Sequence, residues 1–592
     1  VRHLQVGAWL LGALLLWACT GATVYADEAA PEKTPVEVAQ ATGDAAKVKA
    51  DTAWMLVSSA FVLLMVPGLA LFYGGMVRSK NMLTTMMHSA AALSVVGVFW
   101  VVIGYSLAFG APWIGAPAEG VANADWGGSY LGFSPELVFL SGVEATKPLP
   151  GYGYPIYLHV IFQGMFAILT PALISGAFAE RVRFVPYCVF ILLWVTLVYC
   201  PLAHSVWSLD FFTALPGAEG PTGASSTGFL GKMGALDFAG GTVVHIAAGF
   251  AGLAAAVVLK KRSGYPQHPI HPSGVVLTLI GAMFLWFGWF GFNAGSALGS
   301  SENAVAAFAS TQAAAAGAGL TWMLSEYIHK GKATALGLAS GFIAGLVAVT
   351  PAAGFVTMGA GLIIGLIAGV VCYLAVVAKT ICGYDDSLDA FGVHGIGGLL
   401  GALLTGLFCT TTVGNILVTE SNTGVLVGGN MDQFVIQAKA AGISVVYAFV
   451  VSAILLVIMD KVFGLTASKK EEVDGLDRSQ HGEASFDFSS EGAVTMSSSE
   501  PRPAVVPPNG RNRFTLVVDG ADATVLAKVW ADLCQPGGIP DAEFSRIYPN
   551  LTTVSGNRFR FKTGDAKASA AALQSLLQKR LGKASIAVRV EA

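Results

Sequence analysis

Asp237-Phe238-Ala239-Gly240-Gly241-Thr242-Val243-Val244-His245-Ile246-Ala247-Ala248-Gly249 opens an apolar run that reaches Leu259 and stops at Lys260-Lys261-Arg262. A helix crosses a bilayer with roughly 20 mainly apolar residues, so this run is long enough to span and carries a histidine into hydrocarbon. Ionisable groups are costly there and mark function by default. Asp389-Ala390-Phe391-Gly392-Val393-His394-Gly395-Ile396-Gly397-Gly398 repeats the pattern at the head of a second apolar run. Each histidine follows an aspartate by a few residues and lies among glycines, whose small size lets helices approach closely. The pattern expects two imidazoles from different helices to meet.

Working outward, the whole chain has the composition of a polytopic membrane protein. It has 592 residues, 54% of them hydrophobic and only 12% charged, where a soluble domain carries about 25% charged residues. The net charge of −3 points to no class of partner beyond membrane lipid, and nothing in the sequence indicates nucleic-acid binding. Seven cysteines without a CxxC pair indicate neither a disulfide framework nor a zinc site. Two histidines without a third ligand make a poor metal site, and no cofactor, hydrolase or oxidoreductase motif is evident.

Eleven apolar segments are expected to span, at about 52–77, 86–110, 156–180, 184–208, 237–260, 273–299, 302–328, 333–353, 356–379, 388–410 and 435–462. Arg78 and Lys80, Arg181 and Arg183, Lys260 to Arg262, Lys330 and Lys332, Lys379, and Lys461 with Lys469 and Lys470 follow alternate segments. The opposite loops hold only Lys147 and Lys232 as isolated basic residues. Basic loops stay in the cytoplasm, which puts the mature N-terminus outside and the C-terminus inside. Eleven divides as five, five and one, with a histidine segment closing each five. An odd number per repeat makes the repeats antiparallel, an inverted repeat of the transporter kind. His245 then lies eight residues, about 12 Å, below Asp237, and His394 five residues, about 7.5 Å, above Asp389, so the two converge from opposite faces.

The two histidine motifs resemble the twin-histidine helices of the ammonium transporter (Amt/Rh) family, and the likeness runs from about Trp54 to Glu483. The resemblance implies an external ammonium site formed by Trp207, Phe166 and Ser296, with Phe162 beside them. It makes Phe166 and Phe292 two stacked gate rings over a pore lined by His245 and His394. Asp237, and by analogy Asp389, become structural supports that do not touch the ion. Trp207 fits the Amt branch rather than the Rh branch. His204 stands outside the motif, an edge residue of the fourth segment. A homotrimer with one pore per subunit, and a PII-type regulatory protein at the cytoplasmic face, are implied by the resemblance alone.

Both ends of the chain differ in character. Residues 1–26 read as a signal peptide, with Arg2 and His3, an apolar core from Val6 to Ala18, and Val24-Tyr25-Ala26 as a cleavage site. Residues 27–51, rich in Ala, Glu, Lys and Pro, are expected to be a disordered periplasmic segment. The transporter domain covers 52–463, and 464–510 form a cytoplasmic tail and linker. Within the tail, Gly475-Leu476-Asp477 and His481-Gly482-Glu483 resemble the regulatory tail of Amt proteins. Residues 511–592 are expected to form a small soluble α/β domain of ferredoxin-like order βαββαβ. Its strands are expected at Phe514 to Val518, Arg546 to Tyr548, Arg558 to Phe561 and Ile586 to Val590, and its helices at Ala523 to Cys534 and Ala566 to Leu581.

Taken together, the sequence predicts an all-α membrane protein of the bacterial inner membrane, with a small α+β appendage, that carries ammonium or ammonia and is not an enzyme. Methylammonium is the natural analogue. The alternative is an ammonium sensor that signals through its C-terminal domain; a carbon dioxide channel is a third reading.

Overall fold

The computed structural model describes residues 34–115, 128–212, 220–267, 271–486, 514–519, 526, 551–555, 558–561, 566–581 and 587–591. The chain divides into two units, Val1–Ser489 and Ser490–Ala592. The expected signal peptide, and the part of the expected tail and linker beyond residue 486, lie outside the described residues.

Among the described residues, nine helices of the first unit are long and apolar enough to cross a membrane. They are α1 (Gln40–Met76), α2 (Ser79–Phe109), α3 (Ile156–Phe178), α4 (Phe184–Trp207), α5 (Gly241–Val258), α6 (Val275–Gly295), α9 (Met358–Cys382), α10 (Phe391–Phe408) and α11 (Asp432–Phe463). Between α6 and α9 come α7 (Glu302–Lys330), a long helix rich in alanine, and the shorter α8 (Ala335–Val349). All eleven expected segments are therefore helical.

Helical structure begins well before the first expected span. It runs without a break from Pro35, so residues 35–51 are not the disordered segment that their composition suggested. Ala, Glu and Lys are strong helix formers, and this stretch grows from the end of a stable span. Its last polar residue, Asp51, is buried, pairs with Lys47 at 3.1 Å, and accepts from the amide and hydroxyl of Ser300 at 2.7 and 2.9 Å.

The crossing of α5 and α10 sets the centre of the molecule. A methyl on Gly249 would lie 2.1 Å from the amide nitrogen of Gly395, and one on Gly398 would lie 2.9 Å from Cβ of His245. No side chain fits there, so the two backbones touch, and glycine is the only residue that permits it. Both helices open with a wide π-type turn, Gly241–Ile246 and Phe391–Gly395, and each turn carries the histidine.

At the opposite end from Trp207 lies a buried ionic network. Glu180, at φ 71°, accepts from Arg78 at 2.8–3.0 Å and from Asn81 at 3.0 Å, and pairs with Arg262 at 3.3 Å. Asp385 joins Arg262 to Arg181, at 2.7 and 3.1 Å. The tail continues this network. Asp477 accepts from the amides of Leu83 and Thr84, Glu472 from the amide and hydroxyl of Ser263, and Lys80 donates to the carbonyls of Glu472 and Val473. Arg183 grips Glu471 with two nitrogens, at 3.0 and 2.8 Å, which holds that carboxyl down at about 2.

In the second unit, β1 (Phe514–Asp519), β2 (Leu551–Ser555), β3 (Arg558–Phe561) and β4 (Ala587–Glu591) form one antiparallel sheet in the order β2-β3-β1-β4. Helix α12 (Ala566–Leu581) joins β3 to β4. The second strand lies at 551–555, later than expected, while Arg546 to Tyr548 and all but Leu526 of the expected first helix lie outside the described residues. Phe559, Leu516 and the α12 residues Leu573, Leu576 and Leu577 are buried.

Candidate functional site: a cavity, a ring gate and a histidine pair

Asp237 organises the head of α5. One carboxylate oxygen accepts from the amides of Gly240 and Gly241, at 2.8 and 2.6 Å, and the other from Thr242 and Val243, at 2.8 and 3.1 Å. Gly240 turns the chain at φ 113°, a conformation that side chains disfavour, and a methyl there would also strike Val244 at 2.6 Å. Burial pushes the Asp237 carboxyl up, and the four N–H bonds act against that. Its main-chain oxygen accepts from Trp207 Nε1 at 2.8 Å. One residue thus caps the histidine helix and fixes the indole.

Trp207 stands edge-on to Phe166, with centroids 5.9 Å apart and planes at 85°. Both line a cavity of about 410 Å³ with Ser296, Gln163, His159 and Asp237. Ser296 Oγ donates to the Phe292 carbonyl at 2.8 Å. The floor is a stacked ring pair: Phe166 and Phe292 lie 4.2 Å apart at 27°. Phe292 in turn lies 6.1 Å from the His245 ring.

Below the rings is a chamber of about 10 Å³ lined by His245, His394, Trp289 and aliphatic side chains such as Leu173 and Leu285. That is close to the smallest space that holds one water-sized molecule. The imidazoles stack at 5.4 Å and 18°, and their Nδ1 atoms are 3.4 Å apart. Trp289 stacks on His245, at 5.5 Å and 20°, and is itself held by Nε1 donating to Thr350 Oγ1 at 2.9 Å. His245 is fully buried and its Nε2 has no protein partner among the described residues.

The structure therefore brings together Trp207, Phe166, Ser296, Phe292, His245, His394 and Asp237. It does not place Phe162 on the cavity wall. That ring is fully buried 5.0 Å from Phe166 and packs against Gly295; its neighbour Gln163 takes the lining position. His204, in the last turn of α4, is wholly buried and bonded to Ser129 Oγ at 2.6 Å and the Ala108 carbonyl at 3.0 Å. At the head of α10 the capping carboxylate is Asp386, which accepts from the amides of Ala390 and Phe391 at 3.1 and 2.8 Å. Asp389 instead binds Lys379 and takes φ 62°. Asp386 precedes His394 by eight residues, the same spacing as Asp237 to His245, a signal present in the sequence. Trp289 carried no such signal.

A family model described as the Ammonium Transporter Family matches residues 53–486. The chain belongs to the ammonium transporter family. An ammonium transporter of Mycobacterium tuberculosis is 45% identical over 441 residues, covering 74% of this chain and 90% of its own. Among solved structures, Mep2 of Saccharomyces cerevisiae is 35% identical with a TM-score of 0.61, covering 71% of this chain and 90% of its own. A structure titled "Sensor Amt Protein" is 27% identical with a TM-score of 0.64, covering 74% of this chain and 100% of its own. The matched region is multi-pass, and residues 487–592 lie beyond it.

Proposed function

We propose that the chain captures ammonium in the wide cavity, strips one proton, and conducts ammonia past Phe166 and Phe292 along His245 and His394. One observation carries this reading. The polar hydrogens of Trp207 and Ser296 are already committed, to Asp237 and Phe292. What these groups offer the cavity is a π face and a hydroxyl lone pair, both suited to an N–H donor carrying positive charge. The Asp237 carboxylate is spent on four amides, so the cation meets no anion that would hold it too tightly.

The next step follows from solvation. An unpaired cation in a low dielectric costs tens of kcal/mol, and a neutral molecule far less. The chamber offers no charge and room for about one small molecule. Two Nδ1 atoms that share a hydrogen bond cannot both be protonated in neutral rings. One imidazole then has Nε2 as an acceptor and the other has Nε2 as a donor. Ammonia both accepts and donates, and the pair can relay the released proton.

This reading takes all eleven helices as spans arranged as an inverted repeat, supported by the matching Asp-x7-His heads of α5 and α10. The cavity faces the periplasm and the tail the cytoplasm of a bacterial inner membrane, as the basic loops indicate. A homotrimer, and a PII-type partner at the tail face, rest on the family resemblance. The order β2-β3-β1-β4 supports a ferredoxin-like fold for residues 511–592.

Purified protein in planar or supported bilayers provides the test. Ammonium pulses should drive transport that potassium pulses do not, and a current would show that charge crosses with the ammonia. Assembled protein that moves no ammonium would overturn the reading. The second reading, a sensor, is favoured by the extra C-terminal unit and by the likeness to the sensor protein. Saturable ammonium binding without flux would select it.

A further inference from the structure

Gln163 is a polar group on the cavity wall to which ammonium capture and conduction assign no role. It is 8% exposed, lines the 410 Å³ cavity, and its Oε1 is buried without a partner among the described residues. Buried side-chain amides are normally bonded, because an unmet one loses its hydration without return. An amide left open beside a cavity is poised for what enters the cavity.

Its position is specific. His159, Gln163 and Phe166 occur at i, i+4 and i+7 of α3, one face of the helix, and all three line the cavity. Gln163 therefore lies about one turn from the gate ring. His159, a turn further out, is already bonded to the Tyr105 hydroxyl at 2.9 Å. The amide is open where the histidine is engaged. Oxygen and nitrogen of a glutamine exchange places by a half-turn about the last side-chain bond, so the acceptor can face the cavity.

Ammonium brings four N–H groups. The faces of Trp207 and Phe166 and the lone pair of Ser296 provide for three. We infer that Gln163 is a further ligand of the cation, its amide oxygen accepting the remaining N–H. A neutral carbonyl oxygen suits a site that must also release its ion. It also discriminates: methylammonium has three N–H groups and needs no fourth acceptor. The inference rests on the ammonium reading above.

Steady-state transport of ammonium and methylammonium by the full chain, wild type and Gln163→Leu, tests it. The half-saturating concentration of ammonium should rise about ten-fold, the worth of one hydrogen bond to a charged donor. That of methylammonium should rise distinctly less, so that preference between the two narrows. Gln163→Met, which keeps the length of the side chain without a carbonyl acceptor, should narrow the preference as the leucine does, and decides the matter if the leucine variant fails to assemble. Equal shifts for both cations would assign Gln163 a packing role, and no shift would assign it to bound water; either overturns the inference. Wild-type protein that moves neither cation would instead sink the transport reading.

Discussion

His245 and His394 share a hydrogen bond between like atoms, Nδ1 to Nδ1, at the long end of its range. Each ring's tautomer is therefore set by the other, and removing one leaves its partner free to adopt either. Changing either histidine to leucine should abolish ammonium-driven current in bilayers. The double variant should be no worse than the worse single one, because members of one unit are not additive. Separate, multiplying losses would show two independent groups. This pair was legible in the sequence, since a histidine is costly in an apolar run and two such runs share one grammar. The rest of the site was less so. Phe162 and Gln163 are adjacent, and a helix turns about 100° between them, so one faces packing and the other the cavity. Composition does not reveal the phase. Trp289 has the character of a membrane-edge anchor, but it is the ring stacked on His245.

Among the elements, α5 and α10 both open with a π-type turn that carries a histidine. Their π-type first turns have no hydropathy signature, because the wide turn changes hydrogen bonding and leaves the apolar character alone. Their caps were half legible: an aspartate ahead of each histidine was evident, but the backbone decides which one caps, and at α10 it is Asp386. The head of the first helix was hidden for a different reason. Residues 35–51 look disordered when isolated, and become helical as the continuation of a packed span. The cap yields a prediction at this scale. Asp237→Asn keeps one oxygen for Gly240 and Gly241 but sets an amide against the N–H groups of Thr242 and Val243. It should destabilise the fold by about 1–3 kcal/mol, read as a lower thermal midpoint in detergent, and cut the current through a disturbed Trp207 and His245. An unchanged midpoint would mean that the four bonds do not hold the helix head.

Across the whole molecule, the basic residues that indicated orientation do more than mark a side. Arg181 and Arg262 are almost fully buried and paired with Asp385, and Arg183 and Lys80 hold the tail. The sequence shows such charges only as a bias between loops; their acidic partners lie up to hundreds of residues away, at Glu180, Asp385 and Glu471. The tail therefore closes the first unit, and it ends in described form at residue 486, where the family match also ends. Everything that forms the cavity, ring gate and histidine pair precedes that point. Deleting 511–592 should thus leave ammonium transport close to wild type. Asp477→Ala acts differently: it removes the acceptor of the Leu83 and Thr84 amides and loosens the tail from α2. Limited proteolysis should then cut near 464–486 faster in this variant, and at an unchanged rate in the truncated chain. If truncation abolished transport in protein that still assembles, the second unit would be part of the transport machinery, and its role could no longer be confined to regulation or sensing.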